Sequence, residues 1–424
     1  MRRDHAFVPV LRDALLVAAV AVVTVQALRR LVGDRYMVPS DSMQPVLHGD
    51  PLHGDVVFVD KLGSAAARRR HDLVVVVHPE HGDQQLVKRI AARGDDHDAC
   101  WIDLRGGDIW LGPDRDPKRF RRDTKEPFAA RAMRVEWAAW PARSEALATA
   151  LDLSAGTEVD GELRVPASST DAAEATALFT AEARQRRRSA RARSALPAGF
   201  VGTARPVDAS FVDASGVRGR AGDDIGVVDC GMDLELALPV EILFGTVELL
   251  DQSLTLVWRA AAGGVELWCE GERVGGATLP CRPQGAHRIE FGLLDDRVFF
   301  AVDDRLDALF VMARSPDWPQ ARPTDAAPQP RTYVHLGTQG GAPLRLTRLT
   351  VWRDVFHDRE RIAGFAGDRG AWPRSVPPGA WFLLGDNTYD SRDSRQFDAV
   401  PATAFVGVPQ FVIGPWERAH WLPR

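Results

Sequence analysis

From about Phe200 to Phe356 the chain breaks into short runs in which apolar and polar residues alternate: VELLD, LTLVWRA, GVELWCEG, HRIEFGLLDDRVFFAVDD, TYVHLGT and LRLTRLTVWRDV. Alternation with a period of two sends successive side chains to opposite faces, a pattern that suits a sheet and not a helix. Gly-Gly, Asp-Asp and Pro turns separate the runs at near-regular spacing. The stretch therefore predicts an antiparallel β-sandwich. Trp258, Trp268, Asp295, Asp296, Asp303 and Asp304 would suit a sugar or calcium site. Tryptophans filling a core and paired aspartates capping hairpins are the preferred reading.

Composition narrows the rest. At 424 residues the chain has room for two or three domains. Its 53 basic and 58 acidic residues give no global pull toward nucleic acid, and the runs Arg68–Arg70 and Arg184–Arg193 read as solvated faces. Of the four cysteines, Cys100, Cys230, Cys269 and Cys281, no two have the spacing of a zinc site, so no metal is expected. Cys269 and Cys281 flank a Gly-rich turn; a pair across a hairpin and two buried thiols both remain open there. Residues 114–197 are charged and alanine-rich, and within them Ser144–Leu151 and Asp171–Arg193 suit helices on a surface excursion.

Near the N-terminus, Ala14–Leu28 (ALLVAAVAVVTVQAL) carries no charge. As a helix it spans roughly 22 Å, short of the roughly 30 Å hydrocarbon core. Phe7–Leu11 and Leu31-Val32 extend it, with Arg12, Arg29 and Arg30 reaching to the interfaces. No Ala-X-Ala pattern follows, so an uncleaved transmembrane anchor over residues 1–33 is expected rather than a removed leader. Charge alone does not set its orientation.

Three polar motifs follow in order. The first is YMVPSDSMQPVL, Tyr36 to Leu47, in which Pro39 and Pro45 stiffen the backbone around Ser42. A serine is a nucleophile only when a base takes its proton. The second, LVKRIAARGDD, offers Lys88 at the end of an apolar strand, where burial can lower an amine by several pH units and leave it neutral. The third is an apolar strand, Ala380–Leu384, leading into the polar loop GDNTYDSRDSR. Taken with the apolar run before them, these motifs resemble type I signal peptidase, the membrane serine–lysine protease that removes signal peptides. The resemblance covers roughly residues 1–110 and 370–424. Ala92 stands where the family's turn after the lysine usually has Gly, the following Pro is missing, and Asp41 stands where Gly is common.

The resemblance implies Ser42 as nucleophile, Lys88 as general base, and an oxyanion hole from the Ser40 hydroxyl and the Ser42 N–H. It also implies that Ser391 hydrogen-bonds and orients the lysine, with Asp386, Asn387, Asp393 and Arg395 bracing the loop behind it. Met43, Leu86 and Val87 would line pockets for small side chains, giving cleavage after Ala-X-Ala sites. The substrate would lie as an added strand between the Ser42 stretch and Gln84–Lys88. It further implies a cytoplasmic N-terminus, a single pass through the plasma membrane and a catalytic domain on the extracytoplasmic face. The succession in 198–356 resembles concanavalin-like, laminin-G-type jelly rolls.

The expected architecture is thus mainly β: anchor 1–33, a small barrel-like catalytic core in two parts (34–113 and 357–424), the excursion 114–197 and an inserted sandwich 198–356. The partners would be preprotein signal peptides and the lipid bilayer, without nucleic acid and without a cofactor. Two rivals exist. A self-cleaving SOS-repressor-type peptidase shares the serine–lysine pair, but the anchor and the lack of a helix-turn-helix count against it. A catalytically silent homologue would instead use the sandwich to bind glycan or a protein partner at the cell surface.

Overall fold

The computed structural model describes residues 16–24, 26, 29, 31–82, 84–125, 130–131, 133–169, 171–180, 183, 196, 199–210, 218, 226–249, 252–279, 285–295, 297–303, 305–311, 331–359 and 371–422. The chain is mainly β and forms two compact units. One comprises Met1–Asp103, Leu111–Arg121 and Glu360–Arg424, the other Leu104–Trp110 and Arg122–Arg359.

In the first unit the strands run across one sheet in the order Gly33–Met37, Val56–Asp60, Phe405–Gly414, Leu73–Val77, Gln85–Arg93, Ala380–Leu384 and Val400-Pro401. Chain ends meet here because Phe405–Gly414 inserts between Val56–Asp60 and Leu73–Val77. The run LVVVV has no polar face, and the fold uses both of its faces. Leu73 and Val75 join a core with Val38, Met43, Leu47, Val57, Val59 and Val412. Val74 and Val76 join a second core with Ile90, Trp381, Leu383 and Val400. The sheet is therefore covered on both sides where it carries Lys88.

The second unit is a sandwich of two antiparallel sheets. One orders Thr157–Val159, Glu162–Val165, Leu344–Arg353, Cys230–Leu238, Gly285–Leu294, Arg297–Val302 and Arg305–Val311, with Val135–Trp140 also paired to Leu344–Arg353. The other orders Glu272–Thr278, Gly264–Cys269, Ser253–Arg259, Ile242–Glu248, Tyr333–Gln339, Phe200–Thr203 and Leu151-Asp152. Alternate residues of both sheets form one core, in which Trp258 meets Phe300 at 5.7 Å between ring centroids.

Two expectations change here. The stretch 114–197 is not a helical excursion: four of its segments are strands of the sandwich, and Trp137 among them is fully buried. Its charged, alanine-rich composition hid the alternation in VEWAAW. Its described helices are short, Glu145–Ala148 and Ala172–Ala177, the latter capped by the Asp171 carboxylate accepting from Glu174 N; of the expected helix Asp171–Arg193, residues 181–182 and 184–193 lie outside the described residues. Trp258 fills the core as expected, whereas Trp268 is only half-buried. Asp303 accepts from Arg288 N on the neighbouring strand, and Asp295 turns inward; Asp296 and Asp304 lie outside the described residues.

Asp295 belongs to a buried ionic cluster in this unit. Oxygens of Asp108, Asp229, Asp295 and Asp354 lie within 4.8 Å of one another, the spacing of a metal-binding set. Two cations reach into it: Lys125 Nζ lies 3.0 Å from Asp295 and 2.6 Å from Asp354, and Arg122 pairs with Asp108 and Asp229. Burial pushes the Asp108 carboxyl up to about 7 and Asp354 up to about 6, against the opposing pull of Arg122 and Lys125. Burial would lower Lys125, yet Asp295 and Asp354 outweigh it and hold the amine above the ordinary lysine range.

At the N-terminus, described residues 16–24 are helical, and Leu16, Val17, Val20, Val22 and Val23 expose their side chains. Among the described residues no helix is long and apolar enough to cross a membrane. Ala14, Leu15, Val25, Ala27 and Leu28 of the expected anchor lie outside them, as does Cys281 of the suggested Cys269–Cys281 pair.

Candidate active site

Ser42 sits on a single 3-10 turn, Asp41–Met43, between the first two strands of the first unit. Two residues fasten the turn. Met43 is wholly buried in the core with Val38 and Leu47, and Asn387 reaches the turn with two hydrogen bonds. Its N–H donates to the Ser42 carbonyl at 3.1 Å and its Nδ2 to the Asp41 carbonyl at 3.1 Å. The turn thus presents Ser42, 8% exposed, toward the strand Gln85–Arg93.

Lys88, 2% exposed, meets it: Nζ lies 2.8 Å from Ser42 Oγ. Burial pushes the amine down to about 8. Asp393 and Asp386 oppose that fall and Arg395 adds to it. A fully hydrated lysine stays charged until far higher pH, so the dry setting supplies the neutral amine a base requires. Ser40 Oγ lies 3.4 Å from Ser42 Oγ.

The loop after Ala380–Leu384 closes the far side. Arg395 and Asp393 form a buried two-point pair, with Nε and Nη2 each 2.9 Å from a carboxylate oxygen. Arg395 also donates to Thr388 Oγ1 and the Thr388 carbonyl, while Asp393 accepts from Gly385 N. Burial would raise Asp393, but Arg395 and the Gly385 N–H outweigh it and hold the carboxyl below the ordinary range. Asp386 does not touch the lysine. It makes a two-point pair with Arg89, at 2.8 and 2.6 Å, on the residue next to Lys88. Arg89, Thr388 and Gly385 had no assigned role from sequence; the tandem Lys-Arg facing a Gly-Asp-Asn was the available signal.

Two expected roles are not met by this geometry. Ser391 is fully buried beside the site, but its Oγ makes no hydrogen bond to Lys88 or to any other described residue. The loop points it at Gly385, where an added Cβ would lie 2.1 Å from Ser391 Oγ and 2.5 Å from the Ser42 carbonyl. Met43, expected to line a pocket, is core instead, because its side chain anchors the turn. Leu86 and Val87 are half-buried and pack against the two cores of the sheet. The Gly385 contact carries a prediction. Gly385→Ala forces the loop away from the Ser42 turn and should lower kcat about a hundredfold, with little change in KM; steady-state kinetics on a preprotein measures it, and an unchanged kcat would show that the approach is not needed.

The strand Gln85–Arg93 is paired along 85–89 with Leu73–Val77. On its other edge the pairing with Ala380–Leu384 ends at Arg89. Among the described residues no strand takes that edge at Gln85–Lys88, beside the Ser42–Lys88 pair.

Residues 11–109 and 343–416 match the family model of signal peptidase, peptidase S26. Over those two segments the chain is similar to the signal peptidases. The signal peptidase I of Aquifex aeolicus (strain VF5) is 33% identical over 87 residues, which is 20% of this chain and 32% of that protein. The chain thus spans about a third of the length of the signal peptidase it matches. Solved structures share less. The exoplasmic/lumenal domain of VIP36, in a Ca2+/Man3GlcNAc-bound form, is 6% identical with a TM-score of 0.28 over 54% of this chain and 91% of that one. A Bacillus licheniformis β-glucanase is 10% identical with a TM-score of 0.24 over 47% and 82%. Likeness that slight bears on neither ligand nor activity, and the sandwich stands on its own strand pairing.

Proposed function

We propose that the chain is a membrane-bound endopeptidase that removes signal peptides from exported preproteins, cutting after small residues of the Ala-X-Ala type with Ser42 as nucleophile and Lys88 as base. The observation that carries this reading is the buried 2.8 Å approach of Lys88 Nζ to Ser42 Oγ. In the first step Ser42 Oγ attacks the scissile carbonyl carbon and its proton passes to the neutral Lys88 amine. The oxyanion is met by the Ser42 N–H and the Ser40 hydroxyl, each such donor being worth roughly 3 kcal/mol. Collapse breaks the C–N bond, and the Lys88 ammonium gives its proton to the leaving amine. Water, activated by the same amine, then hydrolyses the acyl-enzyme and frees Ser42.

The substrate would extend along the unpaired edge of Gln85–Lys88, adding a strand. Asp386, Asn387, Asp393 and Arg395 keep the loop against the pair, with Arg89 as the Asp386 partner. Membrane placement is supported by the exposed apolar helix at 16–24 and by Trp416 and Trp421, 84% and 72% exposed on the same unit. The test is cleavage of a preprotein by the full chain in lipid vesicles. Wild type should release the mature product and Ser42→Ala should release none above background; continued cutting by that variant would end the proposal.

A further inference from the structure

The turn that carries Ser42 lacks the support a helical start usually has. Ser40, its N-cap, makes no side-chain capping bond, and one backbone bond, Gln44 N to the Asp41 carbonyl, closes the turn. A lone 3-10 turn holds its shape poorly unless something else fixes it. Asn387 grips its carbonyls from one side. On the other side the fixing group is the Asp41 carboxylate. Its Oδ1 accepts from Gln44 Nε2 at 2.7 Å and from Gly49 N at 3.2 Å.

These two bonds fold the return segment Gln44–Gly49 back onto the peptide that enters the turn. The approach at Gly49 is so close that an added Cβ would lie 1.8 Å from the Ser40 carbonyl oxygen and 2.6 Å from Asp41 N. Gln44 itself is buried, so its amide is held in place. We propose that Asp41 is a positioning residue for the proteolytic reaction, its Oδ1 cinching Gln44 and Gly49 so that the Ser42 N–H and the Ser40 hydroxyl stay aimed at one point. An anion beside a developing oxyanion would disfavour it unless donors engage the charge. Here Gln44 Nε2 and Gly49 N engage the carboxylate. Asp41 touches no reacting atom; it acts through the turn, where misplacement of about 1 Å can cost a hundredfold in rate.

This inference rests on Ser42 being the nucleophile, and the experiment separates the two claims. The full chain in vesicles is assayed for kcat and KM on an Ala-X-Ala preprotein as wild type, Ser42→Ala, Asp41→Ala, Asp41→Asn, Gln44→Ala and Asp41→Ala/Gln44→Ala. Asp41→Ala should lose about 10- to 100-fold in kcat with KM within about twofold. Asp41→Asn keeps an acceptor oxygen and should recover kcat to within about threefold of wild type. Gln44→Ala should fall part of the way, and the double variant should be no slower than Asp41→Ala, since both remove one linkage. Wild-type kcat in Asp41→Ala, an Asp41→Asn variant as slow as Asp41→Ala, additive losses in the double variant, or a change confined to KM would each overturn the proposal. Cutting by Ser42→Ala would instead remove the reading beneath it. If Asp41→Ala does not fold, judged by thermal unfolding, the Asp41→Asn and Gln44→Ala comparison still decides: Gln44→Ala at wild-type kcat overturns it.

Discussion

Cleavage by wild type should switch on through an apparent pKa of about 8 as pH rises, and Lys88→Met should remove it altogether. Burial lowers the Lys88 amine from its ordinary 10.5 to about 8. Below that pH the amine is protonated and cannot accept the Ser42 proton, so kcat/KM falls about tenfold per pH unit. Methionine keeps the apolar stem and removes the base, and the loss should exceed about a thousandfold. Stability should move the opposite way. In the unfolded chain the amine holds its proton up to about 10.5 in water; at pH 7, below its folded value of about 8, it is still mostly protonated when buried, so folding carries the cost of a dry charge. That penalty is fully present below about pH 8 and fades as pH rises toward the unfolded value. Lys88→Met escapes it and should be more stable at pH 7, by on the order of 1–3 kcal/mol once the lost bond to Ser42 is deducted. Kinetics across pH and thermal unfolding of both proteins give the two readouts. A profile flat across pH 7–9, or a variant that still cuts, would show that Lys88 is not the base.

Lys125→Met should be among the most damaging changes in the sandwich. The ammonium is shared by Asp295 and Asp354, both buried, and its removal leaves Arg122, among the described residues, to face the four carboxylates. Removing one partner of a buried pair costs about 3–5 kcal/mol because the remaining charge stays dry and unpaired. The pH dependence identifies the cause. Burial raises Asp108 to about 7 and Asp354 to about 6. Carboxyls raised in the folded state contribute stability at low pH that is lost as pH climbs through 6 and 7. At pH 5 their protons relieve the repulsion and the missing ammonium matters less; at pH 8 it matters fully. Thermal unfolding at the two pH values should therefore show a larger gap between Lys125→Met and wild type at pH 8. An equal gap would mean that the lysine stem, not its charge, was stabilising.

The two experiments concern lysines of opposite legibility. Lys88 stands in Leu-Val-Lys-Arg, where flanking apolar residues already predict a dry setting, and the strand that carries it was readable from LVVVV and QLVKRI. Lys125 stands in a charged stretch that reads as surface, and its partner Asp295 is 170 residues further along the chain. Burial of a charge depends on who arrives to pair with it, and a local window holds no record of that. Ser391 shows the same limit: the resemblance implies a serine that hydrogen-bonds the lysine, whereas its Oγ turned toward Gly385 depends on the packing of two loops.

Alternation and apolar runs, both properties of neighbouring residues, were enough to declare most of the sheets, and a few polar motifs in order were enough to single out Ser42 and Lys88 as a candidate pair. The depth of Lys88, the pairing of Asp386 with Arg89 and the grip of Asp41 on Gln44 and Gly49 were decided only by tertiary structure. Each joins groups that the chain must first fold to bring within hydrogen-bond reach, and water is excluded only after that has happened.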